Sequence, residues 1–176
     1  TANVSITQPD SISLSVLVDS NVTCNGLTDG GATAKVSGGT MPYTYLWNNS
    51  ATTTSIAGVG ASTFTVSVKD KNGCTNKRST IITEPATLIA TVAVDSNVLC
   101  NGESTGVIEV ATAGGTAPYT YVWNNAATDS RLSNLAAGNY SVIVTDANGC
   151  TATDNGTITE PTLLLAGTID GDTTIC

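Results

Sequence analysis

Histidine is absent from the chain, and Lys and Arg together number six. Without His, neither a Ser/His nor a Cys/His nucleophile pair is available, and the usual mixed Cys/His zinc site is ruled out with them. Basic residues are outnumbered, with a net charge of −8 at pH 7. A phosphate backbone or an anionic membrane surface needs the opposite balance, so the expected partners include no nucleic acid and no membrane insertion. No apolar run approaches the ~18 residues that span a bilayer as a helix. Charged residues make up 11% of the 176, against about a quarter in ordinary globular chains. Thr, Ser, Asn and Gly must therefore supply the polar surface, a mixture that disfavours helices and suits short strands joined by tight turns. The given sequence shows no signal-peptide pattern and Thr1 opens in mid-pattern; the expectation is a stretch of a longer chain.

What is present is repetition. A shift of 76 residues carries Cys24 onto Cys100 and then Cys176, Trp47 onto Trp123, Cys74 onto Cys150, and Pro9 onto Pro85 and Pro161. Asp19-Ser20-Asn21-Val22 returns as Asp95-Ser96-Asn97-Val98, each followed after one residue by Cys-Asn-Gly. Gly38-Gly39-Thr40-Met41-Pro42-Tyr43-Thr44-Tyr45-Leu46-Trp47 returns as Gly114-Gly115-Thr116-Ala117-Pro118-Tyr119-Thr120-Tyr121-Val122-Trp123. A period this long exceeds a solenoid unit, so each repeat should be a small domain with its own core. The Ile-Thr-Gln/Glu-Pro segments ending at Pro9, Pro85 and Pro161 set the phase. Residues 10–85 and 86–161 are then complete repeats, 1–9 the last strand of a preceding repeat, and 162–176 the first strand of a following one.

Alternation of period two marks Ile12, Leu14, Val16 and Val18, then Phe64, Val66 and Val68, with Tyr140, Val142 and Val144 as the echo. Shorter strands are expected at Ala32–Val36, Tyr43–Trp47 and Thr80–Thr83. Turn signals separate them at Asn25-Gly26, Gly38-Gly39, Asn48-Asn49 and Asp70-Lys71-Asn72-Gly73. Six or seven short strands per repeat predict an all-β chain of tandem immunoglobulin-like antiparallel sandwiches, with Trp47 and Trp123 filling the space between sheets.

So small a domain is marginal on its core alone. Each complete repeat has two cysteines 50 residues apart, Cys24 with Cys74 and Cys100 with Cys150. The expectation is one disulfide per repeat in those pairings, with the partner of Cys176 outside the chain. A closed loop of that length stabilises by roughly 4 kcal/mol in the loop-entropy model, and implies an oxidising, extracellular location. It would also lock the slack of each repeat against pulling, as suits a tether. No Cys-x-x-Cys pair suggests zinc.

The remaining sites are few. Asp70 and Asp146 open Asp-x-Asn-Gly segments that resemble the start of a calcium loop, but lack the later Glu. A hairpin turn accounts for them, with calcium at Asp70 and Asp146 as the alternative. A junction site combining Asp19 or Asp95 with Glu84 or Glu160 is a further calcium reading. Tyr45 and Tyr121, on one strand face with the Trp residues, are candidate glycan contacts; core packing is the competing role. Nothing in the chain suggests an enzyme or a cofactor. The expected partners are neighbouring repeats of the same chain and surface polysaccharide.

Cys-Asn-Gly, Gly-Gly-Thr-x-Pro-Tyr-Thr-Tyr-x-Trp, the Tyr/Phe-x-Val-x-Val segment leading to Asn-Gly-Cys-Thr, and the closing Ile-Thr-Glu-Pro resemble the SprB repeat family of Bacteroidetes surface proteins. The Pro-Tyr-Thr-Tyr-x-Trp strand is also similar to polycystic-kidney-disease-type domains, which are immunoglobulin-like. The SprB resemblance implies a long cell-surface adhesin, exported by type IX secretion and moved along the surface during gliding motility. It further implies O-glycans at Asp-Ser/Thr-apolar tripeptides, here Ser11 in Asp10-Ser11-Ile12 and Thr173 in Asp172-Thr173-Thr174. The alternative function is a carbohydrate-binding β-sandwich module of a secreted protein.

Overall fold

The computed structural model describes residues 10–163. The expectations for 1–9, for Thr173 and for Cys176 fall outside the described residues. Within them all regular structure is strand, as the Thr/Ser/Gly-rich composition predicts. The chain divides into two compact units.

The first unit is built on β1 (Ser13–Ser20), β2 (Gly30–Ser37), β3 (Thr44–Trp47), β4 (Ser55–Val59), β5 (Ser62–Lys69) and β6 (Thr75–Ile82). These form two three-stranded antiparallel sheets, in the orders β1-β2-β4 and β3-β5-β6. Leu14, Ala32, Ala34 and Ile56 from one sheet meet Trp47, Phe64, Val66, Val68 and Ile82 from the other in a single buried cluster. Inward residues fall at every second position because side chains alternate across a strand. Trp47 is buried and its indole Nε1 donates to the Thr53 carbonyl at 2.9 Å, which satisfies its one polar atom.

The second unit repeats this plan with β7 (Ile89–Ser96), β8 (Gly106–Ala113), β9 (Thr120–Trp123), β10 (Arg131–Leu135), β11 (Gly138–Thr145) and β12 (Thr151–Ile158). Its sheets are β7-β8-β10 and β9-β11-β12. Trp123 lies in a core with Ile108, Val110, Leu132, Val142, Val144 and Ile158, and its Nε1 donates to the Asp129 carbonyl at 2.9 Å. Two loops that the sequence period assigns to 86–161, Gly114–Ala117 and Asp146–Cys150, cluster with the first unit.

The strands differ from expectation at several places. The strand expected at Thr80–Thr83 runs from Thr75 to Ile82. Its first half, Thr75-Asn76-Lys77-Arg78, lacks apolar residues; it is held by its eight-residue register with β5 instead. Asn76 Nδ2 and Arg78 Nε also donate to the Ile12 and Leu14 carbonyls, at 2.8 and 3.3 Å. No expectation covers β4, where Ile56 is the only buried residue and Val59 packs against the core while half-buried. β1 starts after Ile12, and its alternation fades at Val18, which is exposed. The Asn48-Asn49 turn places its left-handed residue one position later, at Ser50 (φ 69°).

Candidate functional site

The β5–β6 hairpin in the first unit, and β11–β12 in the second, sets one end of its sandwich. In the first unit Lys69 pairs with Thr75, so the connecting turn, Asp70 to Cys74, closes at that end. At the opposite end of β6, Thr83 exchanges bonds with the segment leading to Cys24: Val22 N donates to the Thr83 carbonyl at 2.9 Å, and Thr83 N to Asn21 Oδ1 at 3.0 Å. Asn25 Nδ2 donates to the Pro85 carbonyl and Gly26 N to Glu84 Oε2, at 3.1 and 2.7 Å. Cys24 and Cys74 therefore stand at opposite poles. An extended strand rises about 3.4 Å per residue, so the length of β6 holds them some 25 Å apart.

That distance corrects the expected pairing. A disulfide needs Cα atoms about 4.4–6.8 Å apart, so neither Cys24–Cys74 nor, by the same plan, Cys100–Cys150 can close within one repeat. The bond that forms is Cys24–Cys150, with a Cα–Cα distance of 5.7 Å and a sequence separation of 126 residues. It joins the first cysteine of one repeat to the second cysteine of the next. Cys74 and Cys100 are exposed free thiols among the described residues. Equal spacing in every repeat made pairing within a repeat and pairing across repeats indistinguishable from sequence.

The bonded turn is held by more than sulfur. Asn148 Nδ2 donates to the Thr23 carbonyl at 2.9 Å and to Thr116 Oγ1 at 3.2 Å. Sequence reasoning gave Asn148 only a turn role and gave Thr23 none. The missed signal is that each Asn-Gly-Cys stands one strand length from the Pro that closes its repeat.

Asp70 and Asp146 belong to these turns. Asp70 accepts from Thr40 N at 3.0 Å and Cys74 N at 2.8 Å. Asp146 accepts from Thr116 N at 2.8 Å and from Asn148 N and Cys150 N, both at 2.9 Å. The Thr40 bond, helped by further backbone donors, holds the Asp70 carboxyl below its ordinary range against the opposing effect of burial. Burial is the largest single influence on Asp146 and pushes it up, but four backbone N–H groups together outweigh it and the net shift is downward. Both carboxylates accept backbone N–H groups that shape the turn. Among the described residues no group of three or more His, Cys, Asp or Glu side chains is placed to hold a metal ion. The junction carboxylates are engaged too: Asp19 by Thr33, Asp95 by Arg131, Glu84 by Gly26 and Glu160 by Gly102.

Tyr45 and Tyr121 are half-buried and pack against their cores. Beside Tyr121 lies an open groove of about 460 Å³, lined by Tyr119, Tyr121, Val122, Asp129 and neighbours. Ser11 is exposed.

Comparison with known proteins follows the same lines. The SprB repeat model matches residues 18–52 and 92–128, the segments that carry Cys24 with Trp47 and Cys100 with Trp123. Two segments of the chain, one in each sequence repeat, are therefore similar to the SprB repeat. Both matches end before the second cysteine of their repeat, so the pole formed by the Asp-x-Asn-Gly-Cys turn lies outside the matched region. Among solved structures, the three N-terminal domains of the Highly Immunogenic Outer Capsid protein (Hoc) of bacteriophage RB49 are 15% identical, with 85% of this chain and 58% of that chain covered and a TM-score of 0.50. A structure described as the basis for Dscam isoform specificity is 12% identical, with coverages of 88% and 47% and a TM-score of 0.40. The C-terminal 282-residue fragment of intimin, in complex with the intimin-binding domain of its translocated receptor, is 14% identical, with coverages of 85% and 64% and a TM-score of 0.43. The chain thus spans less than two thirds of each of these solved chains. At such identity the likeness to Hoc speaks for the immunoglobulin-like fold alone. No curated protein matches the sequence.

Proposed function

We propose that this chain is a structural repeat segment of a long cell-surface adhesin or filament, linked to gliding motility and surface attachment. Residues 10–85 and 86–161 serve as its building blocks, and 1–9 and 162–176 as parts of flanking repeats. The observation that supports the reading is the covalent bond between Cys24 and Cys150, 126 residues apart, in a chain with two segments similar to the SprB repeat. Such a bond persists in oxidising surroundings and suits a chain that must not come apart under load. SprB-repeat and immunoglobulin-like modules of this kind are typically non-catalytic. Export by the type IX route and a Bacteroidetes source are parts of the same proposal.

The test is made on intact cells of the source organism. Antibodies raised against this chain should label the outer surface as extended threads, and deletion of the coding region should abolish attachment or gliding. Signal only after cell lysis, or unchanged attachment and movement in the deletion strain, would overturn the proposal.

The groove beside Tyr121 favours a second reading, a carbohydrate-binding module. An aromatic ring next to Asp129 offers a stacking face together with hydrogen-bond acceptors, as a sugar requires. A glycan array decides: binding that disappears in Tyr121→Ala supports the module, and no binding at all sinks it.

A further inference from the structure

The poles of the two units are built alike, yet among the described residues only the pole at Cys24 is filled. Asn101 Nδ2 donates to the Pro161 carbonyl at 3.1 Å and Gly102 N to Glu160 Oε2 at 2.8 Å, matching Asn25 and Gly26 of the first unit within 0.1 Å. Thr159 N donates to Asn97 Oδ1 at 2.9 Å, as Thr83 N does to Asn21 Oδ1 at 3.0 Å. At Cys24 this frame carries the sulfur of Cys150 and, through Thr23, the amide of Asn148. At Cys100 the same frame borders an open groove of about 440 Å³, lined by Leu99, Cys100, Asn101, Pro161, Thr162 and Leu163. Leu99 is 75% exposed and Leu163 63%, so the seat is apolar and, among the described residues, uncovered.

The turns match in the same way. Cys74 N donates to Asp70 Oδ1 at 2.8 Å and Cys150 N to Asp146 Oδ1 at 2.9 Å. Asn72 Nδ2 reaches Thr40 Oγ1 at 2.9 Å, as Asn148 Nδ2 reaches Thr116 Oγ1 at 3.2 Å. The turn ending at Cys74 is therefore a finished plug with an exposed thiol.

We propose that the groove at Cys100 is the docking seat for the Asp-x-Asn-Gly-Cys turn of a repeat that follows it in the chain, and that the Cys74 turn is the plug for a repeat that precedes it. Every bridge then joins the first cysteine of one repeat to the second of the next, 126 residues along, as Cys24–Cys150 already does. The incoming Asn amide donates to the Leu99 carbonyl, the counterpart of Thr23. The bond forms by exchange with a small disulfide such as oxidised glutathione. The turn thiolate takes one glutathione sulfur and releases the other as a thiolate. The Cys100 thiolate then attacks the turn cysteine of that mixed disulfide and expels the second glutathione. Two thiols lose two hydrogens in all, and one oxidised glutathione becomes two reduced.

Residues 1–161 extended by a second copy of 86–161 provide the test, since the new Pro161-Ala junction repeats Pro85-Ala86. After oxidation in a glutathione buffer, peptide mapping without reduction should find Cys24–Cys150 and a bond from Cys100 to the copied Cys150, with Cys74 and the copied Cys100 open to alkylation. Alkylation of Cys100 while Cys24–Cys150 is intact, or its bonding to Cys74, overturns the proposal. A second measurement needs no added repeat. The 176-residue variants Cys74→Ser and Cys100→Ser, each also Cys176→Ser, are oxidised separately and mixed. A Cys100–Cys74 linked pair specific to the mixture supports the seat. Equal self-pairing of either variant means that the thiols join by chance and overturns it.

Discussion

Carboxylates and glycines do the closest work in this protein. Asp70, Asp146 and Asp154 all spend their charge on backbone N–H groups, Asp154 by accepting from Val92 N across the open edge of its sandwich at 2.7 Å. For Asp154 that Val92 bond, with one from Asn155, lowers the carboxyl below its ordinary range. A carboxyl lowered in the folded state adds stability in full above its unfolded value near 3.9, and that contribution disappears as pH falls through the folded value. Urea midpoints should therefore hold steady from pH 7 to about pH 5 and drop below about pH 4, and Asp154→Asn should flatten part of the drop. An unchanged slope in that variant would remove Asp154 from the account. Gly38 and Gly114 make a second prediction. Each has positive φ, 68° and 70°, and a β-carbon would run into the carbonyl oxygen of Ser11 or Thr87. Gly114→Ala should destabilise by about 1–3 kcal/mol or more in denaturant titration.

At the scale of the element, β6 carries a contrast between adjacent residues. Ile82 is buried in the core, whereas Ile81 points outward and is 63% exposed. Ile82→Ala should cost about 2–5 kcal/mol, and Ile81→Ala within about 0.5 kcal/mol, both read from urea midpoints. Equal losses would mean that the strand registers otherwise. Here the limits of sequence reading are physical. Phe64-Val66-Val68 was legible because its apolar residues repeat every second position. β4 and the polar half of β6 were not, because the one has no run of alternating apolar residues and the other no apolar residue at all. They are strands because their neighbours offer unpaired backbone groups. Trp47 and Trp123 were legible as core from their size and their place in alternating strands; Asn148 was not, since an Asn in a turn looks the same whether its amide bonds locally or reaches Thr23.

For the whole molecule, the bridge changes what pulling can release. Closing Cys24 to Cys150 hides a loop of 126 residues from tension; fully extended, that is about 430 Å of slack. Single-molecule stretching should show this added length after reduction and not before. Identical traces under both conditions would show that the bond is not carrying load. In the loop-entropy model a loop of this size stabilises by about 5 kcal/mol, so Cys150→Ala should lower the unfolding midpoint of the first unit measurably. The staple holds successive repeats together, which is a different outcome from the one bond per repeat that the cysteine count suggested.

Sequence alone determined the period of 76, the strand-rich and helix-free character, the inward Trp of each repeat and the use of cysteine as a staple. Each of these follows from local chemistry or from self-similarity, which a linear string records in full. Only the tertiary structure decided which cysteine meets which. That choice depends on β6 and β12 separating the two cysteines of a repeat by a strand length, so that a bond of about 5.5 Å reach must look to the neighbouring repeat for its partner.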